Sequence, residues 1–204
     1  EWVGTLAVSE GPHAPSPTNL TVVRSGDRLS GKKLVVPHGL AADFAVVLVT
    51  SDAGTDLVLA GLEGVERSAV EIVDPSIAAA TIDFAQTQCE SLGAPGDGWA
   101  MLETVQHRAA VLYAFEQIGG AEQALNMAVA YAKERFAFGR PIGSFQSLKH
   151  MMADMYVALK LAESNAYYAA WALQNDAPDL RLAAATARYS ATQAFQLCAR
   201  DNIQ

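Results

Sequence analysis

Residues 131–146 read Tyr-Ala-Lys-Glu-Arg-Phe-Ala-Phe-Gly-Arg-Pro-Ile-Gly-Ser-Phe-Gln, and this stretch decides the fold. The helical pattern entering it ends near Arg135. Phe138-Gly139 turns the chain, and Pro141, with no N–H to give, prevents an immediate restart. Ser144 is a good N-cap for the next helix. A tight corner between two helices follows, carrying Arg135, Arg140 and Gln146. Two readings of it stand side by side. In one, an arginine beside a fresh helix N-terminus offers a guanidinium fork and free backbone N–H groups to pyrophosphate oxygens, and Phe138 packs on a flat ring system. In the other, the arginine complements the helix dipole and Phe138 plugs the corner.

Outward from the corner, both flanks read as long helices. The one before it spans about Ala100 to Lys133, with Gly119-Gly120 as a candidate close-packing point. The one after it carries apolar residues at Phe145, Leu148, Met152, Met155, Leu159, Ala162, Ala166, Ala169 and Leu173. The alternating steps of three and four are those of near-antiparallel bundle packing. Pro178 opens a third helix at a first-turn position, with a stripe at Leu182, Ala185, Tyr189, Thr192, Phe195 and Ala199. So many small residues on several faces call for a fourth helix, an oligomer or both.

Before residue 98 the character differs. Short runs rich in Val, Leu and Ile are broken by turn residues. The expected strands are Trp2–Val8, Leu20–Arg24, Leu29–Val36, Phe44–Thr50, Leu57–Leu62, Ser68–Ile72 and Ala79–Phe84. Ser25-Gly26-Asp27 is a tight-turn signal between two of them. Such spacing predicts an antiparallel sandwich or barrel. Leu92–Trp99 (LGAPGDGW) punctuates the halves. The division is therefore 1–98, a β domain, and 99–204, a helical domain.

Composition narrows the function. At 204 residues and 51% hydrophobic, the chain can bury a core. Its net charge of −8 lies in the first half: residues 1–99 hold 13 acids and 5 bases, residues 100–204 nine of each. No basic face suits a nucleic-acid backbone. No uncharged apolar run approaches the roughly 18 residues of a membrane span. Cys89 and Cys198, the two cysteines, are too few and too distant for a disulfide framework, which implies a reducing, cytoplasmic setting. His13, His38, His107 and His150 show no metal-ligand spacing, so no metal site is expected. No glycine-rich phosphate loop or nucleophile elbow is present.

The stretch Gly119–Tyr156 resembles the acyl-CoA dehydrogenase family. It matches the family's Tyr-Ala-x-x-Arg-x-x-Phe-Gly-x-x-Ile-x-x-x-Gln pattern, followed by Met152-Ala153-Asp154-Met155 in place of its Leu-Ala-Asp-Met helix. Leu92–Trp99 resembles the loop leading into that family's helical domain. The resemblance implies an α+β multidomain chain, with an antiparallel β-sandwich or barrel-like middle domain followed by an incomplete four-helix bundle. It implies FAD, shared between subunits of a homo- or hetero-dimer or tetramer, with Arg135, Phe138 and Gln146 contacting the FAD of a neighbouring subunit. It implies α,β-dehydrogenation of an acyl-CoA substrate, with an electron-transfer flavoprotein as acceptor.

The chain also departs from the family pattern. Where some members place a catalytic glutamate, it reads His107-Arg108-Ala109-Ala110. Glu103 and Glu116 lie a turn or two away, and the catalytic base stays unassigned. The family's Thr-Glu-Pro-x-Ala-Gly-Ser and Trp-Ile-Thr segments against the flavin ring correspond to Ser9–Ser16 and to Val35-Val36-Pro37. Pro37 brings neither N–H nor hydroxyl. The chain starts at Glu1 and stops at Gln204 without a helix stop signal, so a fragment is expected, inactive alone. Two other readings stay open: a non-catalytic subunit completing a partner's FAD site, and a binding module that keeps only the fold.

Overall fold

The computed structural model describes residues 2–204. The chain divides into two compact units, Glu1–Thr104 and Val105–Gln204. The expected boundary at 98/99 coincides with the first turn of a helix, whereas the first unit continues to Thr104.

In the first unit the alternating apolar runs become β1 (Gly4–Ala7), β2 (Val23–Ser25), β3 (Arg28–Val36), β4 (Phe44–Ser51), β5 (Gly54–Gly61), β6 (Glu66–Ala69) and β7 (Ala80–Leu92). The pairings β4–β5, β5–β7, β7–β3, β3–β2 and β2–β4 close on themselves, giving a barrel. β1 adds to β4, and β6 to β7. The pairing is antiparallel except that β1 and β2 both meet β4 in parallel. Alternation along β4 decides the packing. Ala45, Val47 and Val49 join Leu29, Ile82 and Phe84 inside the barrel. Leu48, with Leu57 of β5, faces the other way, onto Leu102, Trp99 and Met101.

Two strand expectations need correction. β7 runs past Phe84 to Leu92, because Thr87 and Gln88 pair with β3 and Cys89–Leu92 with β5, and pairing overrides weak strand propensity. The expected Ser68–Ile72 strand is β6, Glu66–Ala69, displaced toward the N-terminus.

Asp56 builds the join between sheet and helix. Its Oδ1 accepts from Gly96 N (2.7 Å), and Arg24 Nη1 lies 3.4 Å from Oδ2. Burial alone would raise the Asp56 pKa. The donors from Gly96, Ser51 and Arg24 outweigh it and hold the carboxyl below its ordinary value. Gly98 starts helix α1 (Gly98–Glu134) against the Asp56 backbone, where any Cβ would collide.

In the second unit α1 continues, followed by α2 (Gln146–Gln174) and α3 (Leu180–Ile203). α2 buries Met155, Leu159, Ala162, Ala166, Ala169 and Ala172, close to the expected stripe. α3 does not bury its expected stripe. Leu182 and Tyr189 are exposed, and Ala183, Ala184, Ala187, Ala191, Ala194 and Cys198 are buried. Small side chains let two helices approach closely, so the alanine face wins over the face with larger residues. Pro178 lies in the turn before α3, whose N-cap is Asp179, and not in the helix itself. Gly120 is a close-packing point: a Cβ there would sit 2.7 Å from the Phe195 ring. Gly119 faces open space.

Candidate functional site

The corner between α1 and α2 is more elaborate than its sequence suggests. α1 ends at Glu134, and Arg135 N still donates to Tyr131 O (2.9 Å). The chain then forms a miniature hairpin, β8 (Phe136–Ala137) with β9 (Arg140–Pro141). Its two tip residues, Phe138 (φ 52°) and Gly139 (φ 77°), both adopt the left-handed conformation. A two-residue hairpin needs that pair of angles to match strand twist. Glycine takes it freely. Phenylalanine does not, and strain of this kind concentrates at functional sites. A 3₁₀ turn, Ile142–Ser144, closes the corner, anchored by Ile142 N donating to Arg135 O (2.8 Å). A Cβ on Gly143 would lie 2.9 Å from Ala132 O, so the turn can press against the end of α1 only with glycine there.

This geometry corrects the capping expectation. Phe145, in extended conformation, is the N-cap of α2, and no side chain caps the helix. Ser144 is drawn into the 3₁₀ turn, where its Oγ is buried without a hydrogen-bond partner.

The three corner residues expected to meet a cofactor sit close along one bend. Arg135 is exposed, and among the described residues no carboxylate lies within ion-pair distance of it. Phe138 is 95% exposed, with only its edge toward Phe145 (centroids 6.2 Å apart). It therefore does not plug the corner. Gln146, the first residue of α2, is exposed. Arg140, by contrast, is engaged, its guanidinium 4.1 Å from the Phe145 ring centre.

A cofactor with a diphosphate and flat rings fits these donors. A free guanidinium and an uncapped helix start are donors of the kind that suit an anion. An apolar cavity of about 560 Å³ lies in the same unit, lined by Met127, Tyr131, Ile142, Met151, Met152 and Met155 among others. Of the two acids near the family's early glutamate position, Glu103 is half-buried and Glu116 exposed. Among the described residues neither makes a side-chain hydrogen bond or ion pair, so the structure singles out no base. Among the described residues no group of His, Cys, Asp and Glu suits a metal, and no helix is long and apolar enough to cross a membrane.

The first unit holds a second unusual loop, at the Val35-Val36-Pro37 segment, whose strained backbone the sequence did not show. Val35 (φ 51°) and His38 (φ 55°) are both left-handed. For a β-branched residue that is a true outlier. A register shift between Lys33 and Val36 throws Val35 out of the ladder and leaves it half exposed. Below it, fully buried Lys33 donates from Nζ to Val8 O (3.1 Å) and pairs with Glu10 (2.5 Å). Burial pushes the Lys33 ammonium down from its usual pKa. Burial would raise Glu10, but donors from Lys33 and Thr21 bring it below the ordinary range. The Thr5 hydroxyl donates to Pro37 O (2.6 Å), and Arg67 reaches the carbonyls that follow.

Comparisons with known proteins agree on one kinship. Residues 96–204 match the family model described as "Acyl-CoA dehydrogenase, C-terminal domain". The chain is 33% identical over 192 residues to acyl-CoA dehydrogenase IpdE2 of Mycobacterium tuberculosis, covering 93% of this chain and 54% of that one. Among solved structures, a glutaryl-coenzyme A dehydrogenase in complex with glutaryl-CoA superposes with a TM-score of 0.87 at 27% identity, over 98% of this chain and 54% of the other. A variant of the Tcur3481-Tcur3483 steroid ACAD does so at 0.83 and 29% identity, over 98% and 55%. The chain spans about half the length of these relatives.

Proposed function

The chain belongs to the acyl-CoA dehydrogenase family, and from that premise we propose that it serves FAD-dependent α,β-dehydrogenation of an acyl-CoA thioester. FAD would supply the acceptor for the β-hydride; that chemistry is the cofactor's own. This chain's residues bind and orient. Arg135 would hold the diphosphate with its guanidinium. The free N–H groups at the start of α2 add positive potential to the same anion. Phe138, held outward by its left-handed backbone, offers a ring face to the cofactor's flat rings. Gln146 supplies an amide for a directed hydrogen bond. The FAD so held is shared with a neighbouring subunit, and an electron-transfer flavoprotein is the acceptor we expect.

One observation carries this reading: an unpaired guanidinium and an outward-pointing, strained aromatic on a single bend. The related glutaryl-CoA complex supports a thioester substrate. The test is purification from the full-length gene, alone and with any co-encoded homologue. A yellow protein whose visible flavin band bleaches on adding an acyl-CoA supports the proposal. A protein colourless in both preparations overturns it.

A second reading is favoured by the loop at Val35. By resemblance it stands where the family brings a Trp-Ile-Thr segment against the flavin ring. Here it presents Val35 and Pro37, the latter without an N–H and with its carbonyl already taken by Thr5. These two residues give the ring apolar contact and no side-chain hydrogen bond. On this reading the chain is the non-catalytic member of a hetero-oligomer and lends its corner to the partner's FAD. Colour that develops only after mixing with the partner selects it.

A further inference from the structure

Arg67 lies on β6, outside the closed circuit of the barrel, opposite Ile82 of β7. No carboxylate pairs with it among the described residues. Its charge goes instead to backbone oxygens: Nη1 donates to Ala42 O (2.9 Å), Leu40 O (3.1 Å) and Gly39 O (3.3 Å). Those carbonyls end a single helical turn, in which Ala41 N and Ala42 N both donate to His38 O. A cation at the carbonyl end of such a turn satisfies orphan acceptors and complements their dipole.

The turn continues the strained segment. Val36, Gly39 and Ala42 point inward and are buried. At Gly39 a Cβ would lie 3.0 Å from the Ala80 Cβ, so the loop is pressed onto β7. Val35, Pro37, His38 and Leu40 are left outward. Left-handed angles at a valine and a histidine persist only where surroundings over-determine them. Here the surroundings are identifiable: Lys33 and Glu10 fix the strand below, Thr5 holds the Pro37 carbonyl, and Arg67 gathers three carbonyls above.

We propose that Arg67 is a positioning residue: it holds the Val35–Ala42 loop in its strained shape, so that Val35 and Pro37 meet the flavin ring as a rigid apolar wall. The second half of this statement rests on the FAD reading above; the first does not. Arg67 touches neither cofactor nor substrate and acts through the loop.

The test uses full-length protein, with its co-encoded homologue where flavin uptake needs one, carrying Arg67→Ala or Arg67→Lys. Hydrogen exchange followed by mass spectrometry reads the loop. Visible absorption and FAD retention read the ring. Arg67→Ala should speed amide exchange in residues 35–43 by about 10- to 150-fold, the loss of a charge-assisted bond. It should also alter the shape of the flavin band and weaken FAD retention by roughly tenfold. Arg67→Lys, which keeps the charge, should restore part of both; if the alanine variant does not fold, the lysine variant against wild type carries the same comparison. Unchanged exchange overturns the clamp. Faster exchange with an unaltered flavin band and retention overturns the positioning role. A wild-type protein that takes no flavin in any assembly fails the FAD reading and, with it, the ring half of this proposal, while the exchange result still decides the clamp.

Discussion

The two units solve the burial problem in opposite ways. The β unit buries Lys33, Thr55 and Asp56 and gives the two charges named partners. The helical unit, among the described residues, buries no charged side chain, and its α2–α3 face is nearly all alanine. Buried polar networks can specify a particular shape, at the risk of a large loss when one member is removed. Small-residue faces give close approach, and what they cannot tolerate is bulk. The two bends follow suit. The Val35–Ala42 loop uses its carbonyls internally, whereas the Arg135–Gln146 corner leaves a guanidinium and a hydroxyl unspent. A loop whose carbonyls are satisfied is held in shape by its own chain, whereas the corner keeps donors without partners among the described residues.

That contrast is easiest to break at Lys33. Lys33→Ala leaves Glu10 in a nearly closed site without its cation and should destabilise the β unit by about 3–5 kcal/mol in urea titration. The helical unit should keep its own transition. A loss near zero would mean the network is ornamental. In the helical unit the matching insult is size. Ala166→Leu adds volume to a fully buried position and should cost about 1–3 kcal/mol, whereas Leu182→Ala, on the exposed face, should cost under about 0.5 kcal/mol. Equal effects at the two sites would put the packing face elsewhere.

Acid should separate the units further. Glu10 and Asp56 both have folded pKa values below the ordinary carboxylate range, through donors that outweigh burial. Their stabilisation is complete above the unfolded-state pKa, near pH 4, and is lost as pH falls through the lower folded values. The β unit should therefore loosen first on acidification. Exchange mass spectrometry would show β3 and β5 peptides opening while α2 and α3 stay protected. The smallest effect on stability belongs to Arg135→Ala, within about 0.5 kcal/mol for an exposed, unpaired side chain. Its effect on FAD retention should be a drop of roughly 10- to 150-fold. Unchanged retention would leave Arg135 as no more than a helix-end charge.

Much of this was legible from residue order. Helix-forming composition placed α1 within two residues of Gly98–Glu134, and the Phe138-Gly139 turn is where the chain reverses. Both are local matters: a helix needs only its own residues, and a turn only the angles its residues allow. The strands were likewise visible as apolar runs, except that β6 is displaced from its run and β7 continues beyond Phe84 to Leu92. Three-dimensional packing alone decided which face of α3 is buried, because that depends on how closely α2 can approach, not on which residues are most apolar. It also decided that Ser144 would lie in a 3₁₀ turn and not cap α2, since Gly143 must press against Ala132. Arg67 was invisible for a related reason. Its partners are carbonyls 25–28 positions away, and carbonyls are the same in every residue. A pattern of side chains records which groups are present. Only the folded chain determines which backbone oxygens are left for them to find.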